Sequence, residues 1–289
     1  MPVVARLTGG TAISVHVTRF AFQAMLLVCL LLAAERVCGD RVTALGLALA
    51  VAATQIGTEV WRDSCLWFDN CAHALLALAL VAQRPAVVAG ACLLGAFVDE
   101  RTLLVLPLIM LFAHATGASR THQWWLVAVG PTYVAIRSGL SLYFGMANPI
   151  GEIGTVGVLV PNLANLPAAF WFALEGGWIF VATAIWLGTR PTRHGAVWLA
   201  LGTLGPLAAG AGVGDFTRSV AYVFPATFAA VACLRKFRQE WDQARWRTLA
   251  GSAAVVSLFT PNGVIIGNAL HFESSLPVRA LQEWLRMRS

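Results

Sequence analysis

Val98-Asp99-Glu100-Arg101 stands between two apolar runs, Val87 to Phe97 and Thr102 to Phe112. Neither run alone reaches the about 20 apolar residues that a helix needs to cross a bilayer. Both are too apolar for a surface that faces water. A charge cluster in such a setting is costly and marks a functional site. The flanking runs are either two tilted helices or one re-entrant hairpin. Both alternatives return the chain to the side it left.

The rest of the composition agrees. Of 289 residues, 58% are hydrophobic and 12% charged, and the mean hydropathy is +0.72. Soluble domains carry about 25% charged residues, so a soluble chain is excluded. The formal net charge of +6 reads as a topology signal, not a nucleic-acid footprint, and no nucleic-acid partner is expected. The sequence contains no G-x-x-x-x-G-K-[ST], no dinucleotide fingerprint, no G-x-S-x-G elbow and no H-E-x-x-H. No cofactor and no metal are therefore expected.

About ten hydrophobic spans are predicted, at 13–34, 42–60, 66–82, 86–98, 102–116, 124–144, 168–188, 196–213, 216–234 and 248–270. An open-ended segment in lipid satisfies its own backbone only as a helix. The expected fold is all-α, a polytopic transmembrane helix bundle with some spans short or re-entrant. It forms one integral membrane domain over residues 1–289 with the lipid bilayer as its partner. Residues 276–288 alternate apolar and charged positions, as an interfacial helix does.

Orientation follows from the basic residues. Alternate connections carry Arg36 and Arg41, Arg84, Arg120, Arg190 and Arg193, then Arg235, Lys236, Arg238, Arg245 and Arg247. The opposite set holds only Arg62, Arg101 and Arg218. The richer set is assigned to the cytoplasm. The same count leaves Arg6 and Arg19 outside, a conflict that one span fewer near the N-terminus removes.

The outward set gathers Arg62, Asp63, Asp69, Asp99, Glu100, Arg101, Glu152, Asp215, Arg218, His271 and Glu273. Arg137 and Glu175 lie inside spans, each on the order of 11 Å from the outer end. Their matching depth predicts an ion pair. A polar pocket in the outer half of the bundle is expected, with the Gly-rich loop 146–166 as either its lid or a plain connector.

Each candidate has a functional and a structural alternative. Asp99 or Glu100 is a general base and Arg101 a phosphate ligand, or the three are a hairpin tip in water. Asp215 is a further catalytic carboxylate or a helix cap. Arg218, on the same helix face, is a second phosphate ligand. Arg62 and Asp63 belong to the site or form a solvated pair. Asp69 and His73, four residues apart, are an acid–base pair, or His73 is a core histidine.

The run Asp99-Glu100-Arg101-Thr-Leu-Leu-Val-Leu-Pro107, with Gly214-Asp215-Phe-Thr-Arg218-Ser and Pro225, resembles bacterial multi-pass membrane proteins. These are similar to polyprenyl-phosphate-dependent glycosyltransferases of the GT-C type. The resemblance covers two short motifs and the general topology. It implies an outward carboxylate as base, here Asp63, Asp99 or Glu100, and Arg101 and Arg218 around a lipid-linked phosphate. It also implies a bacterial inner-membrane enzyme of the cell envelope. Its donor is a lipid-linked sugar and its acceptor a glycan, lipid or protein. The outer loop at 61–65 is shorter than in that family. Two other readings stand beside it. Arg137, Glu175 and the short interrupted spans fit a transporter or flippase for an anionic or lipid-linked substrate. A non-catalytic membrane subunit would use the polar cluster only to join helices.

Overall fold

Proline punctuates this chain. Pro85, Pro107, Pro167, Pro225 and Pro277 each stand in the first turn of a helix, where an N–H has no intrahelical partner. A computed structural model describes residues 12–62, 69–145, 160, 163–188, 193–212, 216–266 and 269–287. The helices are α1 (Ala12–Cys38), α2 (Arg41–Ala52), α3 (Gln55–Arg62), α4 (Asp69–Val81), α5 (Pro85–Val98), α6 (Leu106–Ala115) and α7 (Arg120–Phe144). They continue as α8 (Leu166–Leu174), α9 (Gly177–Trp186), α10 (Arg193–Ala211), α11 (Phe216–Ala221), α12 (Pro225–Phe237), α13 (Gln243–Phe259) and α14 (Leu276–Arg286). A 3-10 turn, Glu100–Val105, joins α5 to α6.

The core forms around α12 and α4. Every residue from Pro225 to Leu234 is buried, and α12 packs on α1, α6, α9 and α10. A helix that is apolar on all sides is one enclosed on all sides. Helix α4 is held between α1 and α5, and α13 lies along α2. Helix α5 packs mainly on α4 and α7, and α6 mainly on α12 and α10.

Ser14–Cys38 and Thr217–Phe237 are long and apolar enough to cross a membrane. The pair Leu163–Leu174 and Gly177–Trp186, bent by 96°, makes a third if it is one span. The all-α fold and these segments fit a membrane protein, but the expectation of about ten spans is not met. Helices α2, α4 and α5 have 12, 13 and 14 residues. At 1.5 Å per residue they reach roughly 18–21 Å, against a hydrocarbon core of about 30 Å. The stretch 42–60 divides into α2 and α3, and 102–116 opens as a 3-10 turn. The stretch 248–270 is helical only to Phe259, then enters the hairpin β1 (Asn262–Ile266) and β2 (Ala269–Glu273). Pro261 ends the helix and β-branched residues favour the strand. The strands are antiparallel, with Val264 opposite His271. A Cβ at Gly263 would fall on the Phe172 ring, so glycine lets β1 lie against α8.

The two ends of the bundle differ in charge. Asn70 Nδ2 donates to the Arg19 carbonyl at 2.7 Å, and Arg36 Nη1 to the Leu80 carbonyl at 3.0 Å. Helices α1 and α4 therefore run side by side in one direction. At the Arg36 end stand Arg235 and Lys236, together with Arg247, 3.4 Å from Asp40. Asp40 caps α2 there, accepting from the N–H groups of Val42 and Thr43. Helix α14 exposes Val278, Leu281, Trp284 and Leu285.

Between α8 and α9, Glu175 has φ 45°, a left-handed conformation rare for a residue with a side chain. Gly176 follows, and its N–H donates to Ser257 Oγ at 2.9 Å. A Cβ on Gly176 would stand 1.9 Å from the Ala253 carbonyl oxygen. Gly176→Ala is therefore expected to cost about 1–3 kcal/mol. The measurement is the melting temperature of the purified protein in detergent. An unchanged value would mean that α13 yields at this contact.

Candidate functional site

Asp69, Asp99, Arg101 and Arg218 converge at the end of the bundle away from Arg36, Arg235 and Lys236. Asp69 opens α4, Asp99 and Arg101 lie at the junction of α5 and α6, and Arg218 belongs to α11. Asp99 terminates α5 and caps the following turn, its carboxylate accepting from the Arg101 N–H at 2.9 Å. That turn folds the Arg101 side chain back onto the same carboxylate. Its Nε donates to Oδ1 at 2.8 Å and Oδ2 at 3.0 Å, and Nη2 also donates to Oδ2.

The remaining faces of Arg101 are equally engaged. Nη1 donates to Ser219 Oγ at 2.7 Å. The guanidinium lies 5.0 Å from the centre of the Tyr222 ring, within cation–π range. Nη2 stands 3.8 Å from Asp69 Oδ1. The other Asp69 oxygen accepts from Nε and Nη2 of Arg218. Asp99, Arg101, Asp69 and Arg218 thus alternate in sign along one chain of contacts.

This alternation is what makes the burial tolerable. Asp69 is 5% exposed, and buried ions persist when each faces its opposite. Burial pushes the Asp99 carboxyl up, but the hydrogen bonds and charge of Arg101 outweigh it and hold the group below the ordinary carboxylate range. Burial likewise works against the Arg101 cation, and Asp99 more than compensates, so its pKa lies above the usual value. Asp99 is therefore a clamp for Arg101 and a weak proton acceptor.

Glu100 is placed differently. It is exposed, and among the described residues its carboxylate joins no ion pair. The Tyr133 hydroxyl donates to its Oε2 at 3.4 Å. Asp69 and His73, read either as an acid–base pair or with His73 in the core, make separate contacts. Asp69 turns to the two arginines, and His73, 1% exposed, packs 4.5 Å from Tyr222 and 6.0 Å from Phe224.

Arg137 and Glu175 lie apart from this chain of contacts. Among the described residues no ion pair joins them. Arg137 is half-exposed on α7 and Glu175 is buried at the break between α8 and α9. The matching-depth argument requires a straight helix over 168–188, and the 96° bend removes that condition. Arg62 closes α3. Asp63, Glu152 and Asp215 lie outside the described residues. His271 is exposed on β2. Among the described residues no group of three His, Cys, Asp or Glu is placed to hold a metal ion.

Ser219, Tyr222 and Tyr133 complete the cluster and were not singled out by the sequence. A signal existed, because the chain has only three tyrosines and two of them stand here. Compared with known proteins, the chain matches no family model, no curated protein and no solved structure.

Proposed function

We propose that the chain is a multi-pass enzyme of a bacterial inner membrane that transfers a sugar from a polyprenyl-phosphate donor. The acceptor is a glycan, lipid or protein, and the reaction takes place at an outward-facing pocket. The observation that supports this is Asp69 gripped by Arg218 with Arg101 3.8 Å away, and Glu100 next to Arg101 in the chain. Guanidinium forks suit phosphate oxygens. Asp69 stands where a phosphate bridging both arginines would sit. The basic residues gathered at the other end support a cytoplasmic position for that end and an outward one for the cluster.

The reaction balances with these groups. The bond from the sugar C1 to the donor phosphate oxygen breaks, and a bond from the acceptor oxygen to C1 forms. The acceptor proton passes to Glu100. Polyprenyl phosphate leaves with its charge held by Arg101 and Arg218. A transporter or flippase for lipid-linked substrates is the second reading, favoured by the broken helix at Glu175.

The two readings separate in one assay. Purified protein is mixed with synthetic polyprenyl-phosphate pentoses and hexoses and a short glycan acceptor, and released polyprenyl phosphate is measured. Release is expected, and Arg218→Gln is expected to lower it by about 10²–10³-fold per folded molecule. Donor that crosses a vesicle membrane intact, without release, would replace the enzyme with the transporter.

A further inference from the structure

At the end of the bundle opposite Asp69 and Arg218, two cavities adjoin. One, of ≈ 660 Å³, is an apolar trough between α6, α10 and α12, walled by Pro107, Met110, Leu111, Trp198 and Phe237. Specific ligand pockets span about 300–1,000 Å³. The second, of ≈ 460 Å³, is lined by Arg36, Arg235 and Lys236. Ala115 and Lys236 line both, so the trough and the cationic space lie side by side.

Both arginines are held in place. Arg36 donates to the Leu80 carbonyl at 3.0 Å and lies 5.6 Å from the Phe112 ring centre. Arg235 lies 4.4 Å from the ring centre of Trp246. Among the described residues no carboxylate forms an ion pair with Arg36, Arg235 or Lys236. Asp40, whose charge reaches Arg235, turns Oδ1 to the N–H groups of α2 and to Arg247, while its buried Oδ2 makes no hydrogen bond among the described residues. The contrast with the other end is direct, because there Arg101 and Arg218 face aspartates.

We infer that this end binds an anionic phospholipid, with its phosphate among Arg36, Arg235 and Lys236 and an acyl chain in the trough of Met110, Leu111 and Phe237. A free phosphate would leave the apolar trough unused. A neutral lipid would leave three cations with only the charge of Asp40 to set against them. The cytoplasmic leaflet, where the positive-inside pattern places this end, is the anionic one. The site is independent of glycosyl transfer. Pro225 and Lys236 are 11 residues apart along α12, roughly 16 Å at 1.5 Å per residue, and Arg218 precedes Pro225.

The test is equilibrium binding of a fluorescent-tailed phosphatidylglycerol to the purified full chain in a neutral detergent. Saturable binding is expected, with the phosphatidylcholine analogue about tenfold weaker. Lys236 is exposed, and Lys236→Gln is expected to weaken phosphatidylglycerol binding about fivefold without touching the fold. Gly195 also lines the trough, and a Cβ there meets only the Phe237 ring, at 3.6 Å. Gly195→Phe narrows the trough beside Phe237 with the cations intact and is expected to weaken binding about tenfold. Equal binding of phosphatidylcholine would overturn the inference. So would displacement of the lipid by millimolar inorganic phosphate with Gly195→Phe unaffected. Unchanged binding by Lys236→Gln would do the same whether or not Gly195→Phe folds.

Discussion

Glu100→Gln is expected to lower release of polyprenyl phosphate by about 10²–10⁴-fold through kcat, with KM for the donor nearly unchanged. The substitution keeps the shape of the side chain and can keep a contact with the Tyr133 hydroxyl, now 3.4 Å from Oε2. It removes the one described carboxylate of the cluster that no arginine engages. Asp99 cannot take over, because Arg101 grips both of its oxygens. Asp69 cannot either, because it is held by Arg218 and lies beside Arg101. Glu100 is exposed, so stability should move by no more than about 0.5 kcal/mol. The measurements are initial rates over a range of donor concentrations, and a melting curve for each variant. Full turnover in Glu100→Gln would move the base to Asp63 or Asp215, the outward carboxylates next in line.

The contact between Asp99 and Arg101 was open to sequence reading because it is local. Two residues between apolar runs, one ending a helix and the other two positions on, have few ways to avoid each other. Asp69 and Arg218 are 149 positions apart. The basic connections predict one side for both, but the rotation of α4 and α11 about their axes decides that they touch, and no pattern in the chain records it. The same limit hid the Arg101 contacts with Ser219 and Tyr222.

Hydropathy failed in another way. It reports removal from water and not what replaces it. Thr217–Phe237 reads as a lipid-facing span, yet 83% of its apolar window is buried inside the protein. Short helices such as α4 are apolar for the same reason. The bend at Glu175 was written in the following Gly176 and Gly177, but a run of apolar residues on both sides made 168–188 look continuous. Beyond Pro261 the β-branched residues Val264, Ile265 and Ile266 were read as more helix, although such residues favour a strand.

Asp69→Asn is expected to destabilise the protein by about 3–5 kcal/mol. The variant keeps the size of the side chain and removes the charge that Arg218 grips with two nitrogens and that Arg101 approaches. Both arginine side chains are less than one-fifth exposed, at 18% and 16%, so water compensates little. The measurement is unfolding in mixed detergent micelles with a titrated denaturing detergent.

The decisive comparison is with the double variant Asp69→Leu, Arg218→Met. A buried ion pair replaced whole by apolar groups of similar volume often costs little, so stability should return to within about 1 kcal/mol of the parent. Donor turnover should not return, because one of the two phosphate ligands is gone. A double variant that recovers stability and turnover together would mean that Asp69 and Arg218 only join α4 to α11. The phosphate would then have to be held elsewhere. Recovery of stability alone separates the two roles: the aspartate balances the arginines while the site is empty, and the arginines are there for the phosphate that displaces it.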